Sequence, residues 1–229
     1  MAGFVDAKII LNGPLEQPSQ EEISAIMATP IDFYFEFSSP YGYLASTQIE
    51  GLAAEFGRQV NWKPILLGPM FKTTGSAPLT EVPMKGEYSK RDFARSAMLH
   101  DIPYVQPHPF PIGTVSAARA VIYLQEHDSS KVADFIKRTY RAYFAEGKNI
   151  SETGVVLAVA DGLGIDARKL ADGIGQDAIK QRLKQEIEAA MARGVFGSPF
   201  MFVDDEPFWG FDRFDHIRRW LERRGQERA

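Results

Sequence analysis

Ile31-Asp32-Phe33-Tyr34-Phe35-Glu36-Phe37-Ser38-Ser39-Pro40-Tyr41-Gly42-Tyr43-Leu44-Ala45 is the stretch that decides the fold of this 229-residue chain. Its start alternates: Ile31, Phe33, Phe35 and Phe37 share one face, and Asp32, Tyr34 and Glu36 share the other. A period of two with aromatic side chains marks a strand. The second face is only partly polar, which suits a central strand covered on both sides. Pro40 brings the fixed φ of a first helical turn. The strand is therefore expected to pass through Ser38-Ser39 straight into a helix running to about Phe56 and ending at Gly57. Ser39 stands at the junction. A serine before that proline reads as a helix N-cap. A cap also lies beside free N–H groups at the positive end of the helix dipole, a place that favours an anion.

Working outward, Val60–Leu67 reads as a second strand, and a right-handed crossover makes the pair parallel. Gly68–Pro83 is rich in Gly, Pro, Ser and Thr and is expected to be a loop. Helices follow at Tyr88–Asp101, Thr114–His127, Lys131–Glu146, about Ser151 to Leu163, Asp166–Ile174 and Asp177–Arg193. The prolines of Pro103–Pro111 break this run, and Ser151 and Asp166 are candidate N-caps. The pattern then returns to strands at Pro199–Asp204 and Phe208–Gly210 around an Asp204-Asp205 turn. Asp212 is the expected N-cap of a last helix, Asp212–Arg224. Residues 1–29 read as an extension with a short helix at Glu21–Ala28. The order is β-α-β, a long helical block, then β-β-α. It predicts an α/β, thioredoxin-like domain from residues 30–68 and 195–229, with residues 69–194 as an inserted all-helical domain.

Composition narrows the chemistry. A net charge of −4 and a pI of about 5.6 give no nucleic-acid footprint. No run approaches the ~18 apolar residues of a membrane span, and no secretory signal is visible, so the cytoplasm is the expected setting. The chain has no cysteine, which excludes disulfides, thiolate metal sites and a cysteine nucleophile. His100, His108, His127 and His216 lack metal-ligand spacing, and no metal is expected. A serine without His and Asp partners is a poor nucleophile, but Ser39 is well placed to donate a hydrogen bond to a thiolate brought from outside. Lowering a thiol pKa of ~8.5 by two units takes roughly 2.7 kcal/mol. One charge-assisted hydrogen bond and a helix end supply much of that.

Gly197-Ser198-Pro199 is the second candidate. In a thioredoxin-like fold this X-Pro bond, often cis, faces the Ser39 loop and offers the Ser198 backbone to an extended peptide ligand. Met70, Phe71 and Trp209 are candidates for an apolar pocket, with ordinary packing the competing reading. Glu36 is expected on the strand surface rather than as a buried acid.

Together these motifs resemble the family of 2-hydroxychromene-2-carboxylate isomerases and kappa-class glutathione transferases. The resemblance is carried by Asp32–Ala45, Leu66-Leu-Gly-Pro-Met-Phe-Lys-Thr-Thr-Gly75, Val82-Pro-Met-Lys-Gly-Glu-Tyr88, Gly194-Val-Phe-Gly-Ser-Pro199 and Phe208-Trp-Gly-Phe-Asp-Arg213. It implies a DsbA-like thioredoxin fold and a glutathione-dependent enzyme. Ser39 is then the catalytic serine, and Ser39, Ser76, Lys85, Ser198, Phe211 and Asp212 are the glutathione-binding residues. Lys85 takes a carboxylate, and Asp212 meets the γ-glutamyl end. Ser39-Pro-Tyr-Gly42 replaces a Cys-x-x-Cys, so dithiol redox chemistry is excluded. Three positions depart from the pattern: Ser76 stands where the family frequently has Asn, Ser198 stands where the residue before the proline is often Val or Leu (a main-chain contact survives that), and Phe211 stands where the kappa class often has Ser. The implied reaction is isomerisation of an aromatic-degradation intermediate, 2-hydroxychromene-2-carboxylate or similar, by reversible thiolate addition. The alternatives are a kappa-like transferase or peroxidase and a non-catalytic thiol- or peptide-binding module. The resemblance also implies a small aromatic or electrophilic substrate and a homodimer.

Overall fold

A computed structural model describes residues 28–228. The expected helix at Glu21–Ala28 lies, but for Ala28, outside the described residues. Four strands, β1 (Ile31–Phe35), β2 (Val60–Pro64), β3 (Phe200–Val203) and β4 (Glu206–Trp209), form one sheet in the order β2-β1-β3-β4. β1 is parallel to β2, with Phe33 opposite Trp62. It is antiparallel to β3, with Tyr34 opposite Phe200, and β3 is antiparallel to β4. This is the predicted α/β, DsbA-like thioredoxin sheet, with β1 central as its two-sided apolar pattern requires.

Ten helices are described: α1 (Pro40–Ser46), α2 (Ile49–Glu55), α3 (Leu67–Thr74), α4 (Lys85–Leu99), α5 (Val115–His127), α6 (Val132–Phe144), α7 (Thr153–Asp161), α8 (Ala167–Gly175), α9 (Asp177–Ala192) and α10 (Phe214–Arg228). Phe33, Phe35 and Phe37 bury one face of β1 against Trp62 and Tyr140, with the Phe37 and Tyr140 rings 5.0 Å apart. Tyr34, on the other face, packs with Phe200, Phe202, Ile65, Met70 and Val195. The helices between β2 and β3 thus share a core with the sheet. No described helix is long and apolar enough to cross a membrane.

Several expected boundaries moved for local reasons. The helix predicted over Pro40–Phe56 is two helices. The Ser46 and Thr47 hydroxyls each donate 2.7 Å bonds to the carbonyls of Tyr43 and Leu44. The Thr47 and Gln48 N–H groups bond only three residues back, to Leu44 and Ala45. Short hydroxyl side chains compete in this way with the helical ladder. The predicted Gly68–Pro83 loop contains α3. Pro69 sits in the first turn, where no N–H is needed, and Gly75 closes the helix in the left-handed region at φ 68°. The Pro and Gly that read as loop are the punctuation of a helix.

Lys85 rather than Tyr88 opens α4. The second strand stops at Pro64, short of Leu67, and β4 begins at Glu206, before the predicted Phe208. Pro207 is accepted there because β4 is an edge strand.

Two predicted caps fail. α7 starts at Thr153 behind Glu152, while the Ser151 hydroxyl donates to Asn149 Oδ1 at 2.7 Å. Asp212 lies inside a 3₁₀ turn, Phe211–Arg213, that precedes α10, so it does not cap that helix. Asp166 does cap α8, accepting from the Arg168 and Lys169 N–H groups at 3.0 and 3.1 Å.

Candidate functional site

Strand directions gather the chemistry at one end of the sheet. β1 runs toward Phe35, opposite Pro64. β3 begins at Phe200, opposite Tyr34 of β1 and Trp209 of β4. Glu36–Gly42, the start of α3, Gly197–Pro199 and Trp209–Asp212 therefore emerge together.

Ser39 is the N-cap of α1, with φ −91° and ψ 113° and 6% of its surface exposed. Its Oγ accepts from the Gly42 N–H at 3.0 Å and donates to the Ser198 carbonyl at 2.9 Å. The Ser198–Pro199 peptide is cis. The Ser198 hydroxyl in turn accepts from the Glu36 N–H at 3.0 Å. The Glu36 carbonyl accepts from the Ser39 N–H at 3.0 Å and from the Tyr140 hydroxyl at 2.8 Å. The two loops are thus cross-tied by main chain and hydroxyls alone. Gly42 is part of this tie. A Cβ there would stand 2.6 Å from the Tyr140 hydroxyl and 2.9 Å from Ser198 Oγ, closer than side-chain atoms approach.

Glu36 corrects the sequence expectation. It is only 5% exposed, just past the end of β1, and its carboxylate accepts from the Ser38 N–H at 2.8 Å and from the Thr114 hydroxyl. Burial pushes its pKa up from 4.5 to about 7, against the pull of those two hydrogen bonds. The Ser38 hydroxyl accepts from the Ile112 N–H at 3.1 Å, tying the proline-rich segment to the same loop.

Tyr41 faces α4. Its hydroxyl donates to Asp92, and its ring meets the Phe93 ring at 4.9 Å. Burial and then the Asp92 carboxylate raise the Tyr41 hydroxyl pKa, so it stays a donor. Asp92 also takes Arg95, whose guanidinium lies over the Tyr88 ring at 5.6 Å.

The predicted site residues divide into two groups. Ser39 and Ser198 touch. Phe211 is buried against Phe214 and His100, and its 3₁₀ turn packs on α1. Asp212 is near enough for its charge to act on Tyr41, and its carboxylate pairs with Arg213 at 3.2 Å and folds over Gly210, which has φ 112°. Lys85 and Ser76 are not joined to this group by any hydrogen bond among the described residues. Lys85 is exposed at the start of α4, after Met84 at φ 65°. The Lys85 N–H bonds to the Pro83 carbonyl at 2.8 Å, a tight γ-turn. Ser76 is exposed beyond Gly75, its N–H bonded to the Phe71 carbonyl at 3.1 Å.

Met70, predicted as pocket lining, is 1% exposed and belongs to the core, whereas Trp209 is open to solvent. A cavity of about 530 Å³ opens elsewhere, along the outer edge of β2 among Arg58, Val60, Trp62, Gln125 and Val132. It contains none of the predicted site residues. No group of three or more His, Asp or Glu poised for a metal occurs among the described residues. Sequence reasoning missed the Glu36, Thr114, Tyr140 and Asp92 contacts. Only Gly42, a glycine three places after the cap inside a helix, carried a local signal.

Residues 30–222 match the DSBA-like thioredoxin domain. The chain is 30% identical over 197 residues to a 2-hydroxychromene-2-carboxylate isomerase of Sphingobium xenophagum, covering 85% of this chain and 99% of that one. It is 23% identical to a glutathione S-transferase kappa 1 of Rattus norvegicus, covering 81% of this chain and 87% of the other. Among solved structures, a 2-hydroxychromene-2-carboxylate isomerase superposes with a TM-score of 0.77 at 27% identity, covering 87% of this chain and 97% of that one. The cytosolic disulfide reductase DsbM from Pseudomonas aeruginosa, solved with GSH, shares the fold at a TM-score of 0.61 and 20% identity, covering 88% of this chain and 100% of that one.

Proposed function

This chain belongs to the DSBA-like thioredoxin family, with the 2-hydroxychromene-2-carboxylate isomerases and kappa-class glutathione transferases among its relatives, and we propose on that premise that it is a glutathione-dependent isomerase. Its substrate class is the 2-hydroxychromene-2-carboxylate-like intermediate of aromatic degradation. The observation that carries the reading is the Ser39–Ser198 hydrogen bond. It sets one hydroxyl donor beside one main-chain acceptor at a helix N-terminus. Those are the complementary needs of a peptide thiolate, whose sulfur wants a donor and whose amide N–H wants an acceptor. The donor set therefore fits glutathione. When bound, glutathione supplies a thiol that adds reversibly to an unsaturated carbonyl compound, letting a bond rotate without net consumption.

The Gly42 N–H fixes Ser39 Oγ in place, leaving the hydroxyl hydrogen as the part that turns. Ser39 swings that hydrogen from the Ser198 carbonyl to the sulfur and stabilises the thiolate electrostatically. The first turn of α1 adds its dipole. The Ser198 carbonyl then accepts from the ligand main chain. Asp212 exchanges Arg213 for the ligand ammonium, Lys85 takes a carboxylate, and the Ser76 hydroxyl and Phe211 N–H add further contacts. The same reading carries a homodimer and a cytoplasmic setting.

Turnover of a 2-hydroxychromene-2-carboxylate tests the proposal. The expected result is glutathione-dependent isomerisation with total glutathione constant, slowed roughly ten- to a thousand-fold in Ser39→Ala. Unchanged turnover in Ser39→Ala sinks the role of the serine. Consumption of glutathione replaces the isomerase with the kappa-like transferase, and binding without turnover leaves a thiol-binding module.

A further inference from the structure

Beside the Ser39–Ser198 pair, two large aromatic side chains remain exposed: Trp209, at the end of β4, is 54% exposed, and Phe196, just ahead of the cis-proline loop, is 43% exposed. Neighbouring Phe200 and Met70 are buried. The Phe196 and Trp209 rings meet edge-to-face at 4.8 Å, and Phe196 is braced by Phe200 at 5.3 Å. The rings are therefore held in place without being covered.

Their position is set by Gly197. A Cβ there would collide with the Trp209 indole nitrogen and stand 3.1 Å from its Cε2. The absence of a side chain lets the indole close on the main chain of the residue before Ser198, whose carbonyl holds the Ser39 hydroxyl. Chain geometry from Gly197 to Ser198 keeps the indole nitrogen within about 13 Å of Ser39 Oγ. An aromatic molecule resting on the indole is therefore bound on the same end of the sheet as Ser39, within that distance of it.

We propose that Phe196 and Trp209 form a platform that binds the planar aromatic part of the electrophilic substrate, and that they are specificity-determining residues for it. This rests on the glutathione-dependent reading for its catalytic meaning, but the platform is a binding site in its own right. An exposed aromatic pair offers a π face to an electron-poor ring. Trp209 ends the edge strand β4 and Phe196 precedes β3, and both rings stay open to solvent on their outer side.

The test titrates 2,4-dinitrobenzoate, a planar electron-poor probe, against tryptophan fluorescence in the full-length protein. Trp62 is buried, which leaves Trp209 the most exposed of the three tryptophans. Expected is saturable quenching in wild type, with the probe Kd, read by calorimetry in every protein because the Trp209 variants lack the reporter, weakened at least tenfold in Trp209→Ala and Phe196→Ala and largely kept in Trp209→Phe. Gly197→Ala, which displaces the indole without removing it, is expected to weaken the probe as well. Glutathione affinity, measured by calorimetry, changes less than twofold in Trp209→Ala and Phe196→Ala. Should Trp209→Ala not fold, Phe196→Ala and Trp209→Phe keep the comparison. Probe affinity that is the same in wild type and Phe196→Ala overturns the proposal. So does a wild-type protein that binds no probe while Trp209→Ala changes the sedimentation mass, which assigns the rings to contact between copies. Probe binding without glutathione binding retains the platform and defeats the glutathione reading. Glutathione binding without probe binding does the reverse.

Discussion

Replacing Glu36 by Gln separates a charge from a shape. The Glu36 carboxylate is buried, accepts from Ser38 and Thr114, and has its pKa pushed from 4.5 to about 7 by burial. The folded protein therefore holds this proton more tightly than the unfolded chain does. Between pH 4.5 and about 7 the folded state binds more protons than the unfolded state, so stability falls as pH rises through that window. The full cost of the raised pKa is about 3 kcal/mol, of which about 2 to 3 kcal/mol develops between pH 5 and pH 8. Gln preserves the hydrogen bonding: its Oε1 accepts the Ser38 N–H, and its amide donates to the Thr114 hydroxyl, which turns to accept. Urea unfolding of wild type and Glu36→Gln at pH 5 and pH 8 reads the effect as a difference, in which the other carboxylates cancel. The expected result is that Glu36→Gln gains about 2 to 3 kcal/mol relative to wild type on going from pH 5 to pH 8. A wild-type-to-mutant difference that is equal at the two pH values would refute the argument that burial without a cation governs this carboxyl.

Two further outcomes follow from single contacts. Gly42→Ala drives a methyl group into the Tyr140 and Ser198 hydroxyls. It should cost about 1–3 kcal/mol in denaturant unfolding and weaken glutathione binding in calorimetry, whereas wild-type stability and affinity would show that the helix shifts freely. Asp166→Ala removes the cap of α8 and should lower stability by about 1 kcal/mol while leaving glutathione affinity unchanged; a loss of affinity would contradict its remoteness from the site.

Much of the fold was legible because its signals are short-range. The alternation of Ile31 to Phe37 needs only a two-residue period, and Pro40 and Asp166 act within one turn. Misreadings arose where the same residue types serve two purposes. Pro69 and Gly75 punctuate a helix as readily as they make a loop. Ser46 and Thr47 break a helix whose apolar pattern continues through them. Asp212 has the chemistry of a cap, but the chain places a 3₁₀ turn there first. Glu36 looked like a surface acid because its sequence neighbours do not bury it. Thr114 and Tyr140 arrive from 78 and 104 residues away.

The residues alone established the strand-to-helix junction, put a hydroxyl at its cap and withheld every cysteine, because each of these is a property of composition or of a few adjacent positions. The tertiary structure decided what that hydroxyl faces. Ser198 lies 159 residues beyond Ser39, and only the antiparallel placement of β3 beside β1 brings its carbonyl to Ser39 Oγ. The same long-range packing buries the carboxyl of Glu36 and leaves the ring of Trp209 in the open. Burial depends on what the rest of the chain covers, and no local pattern encodes that.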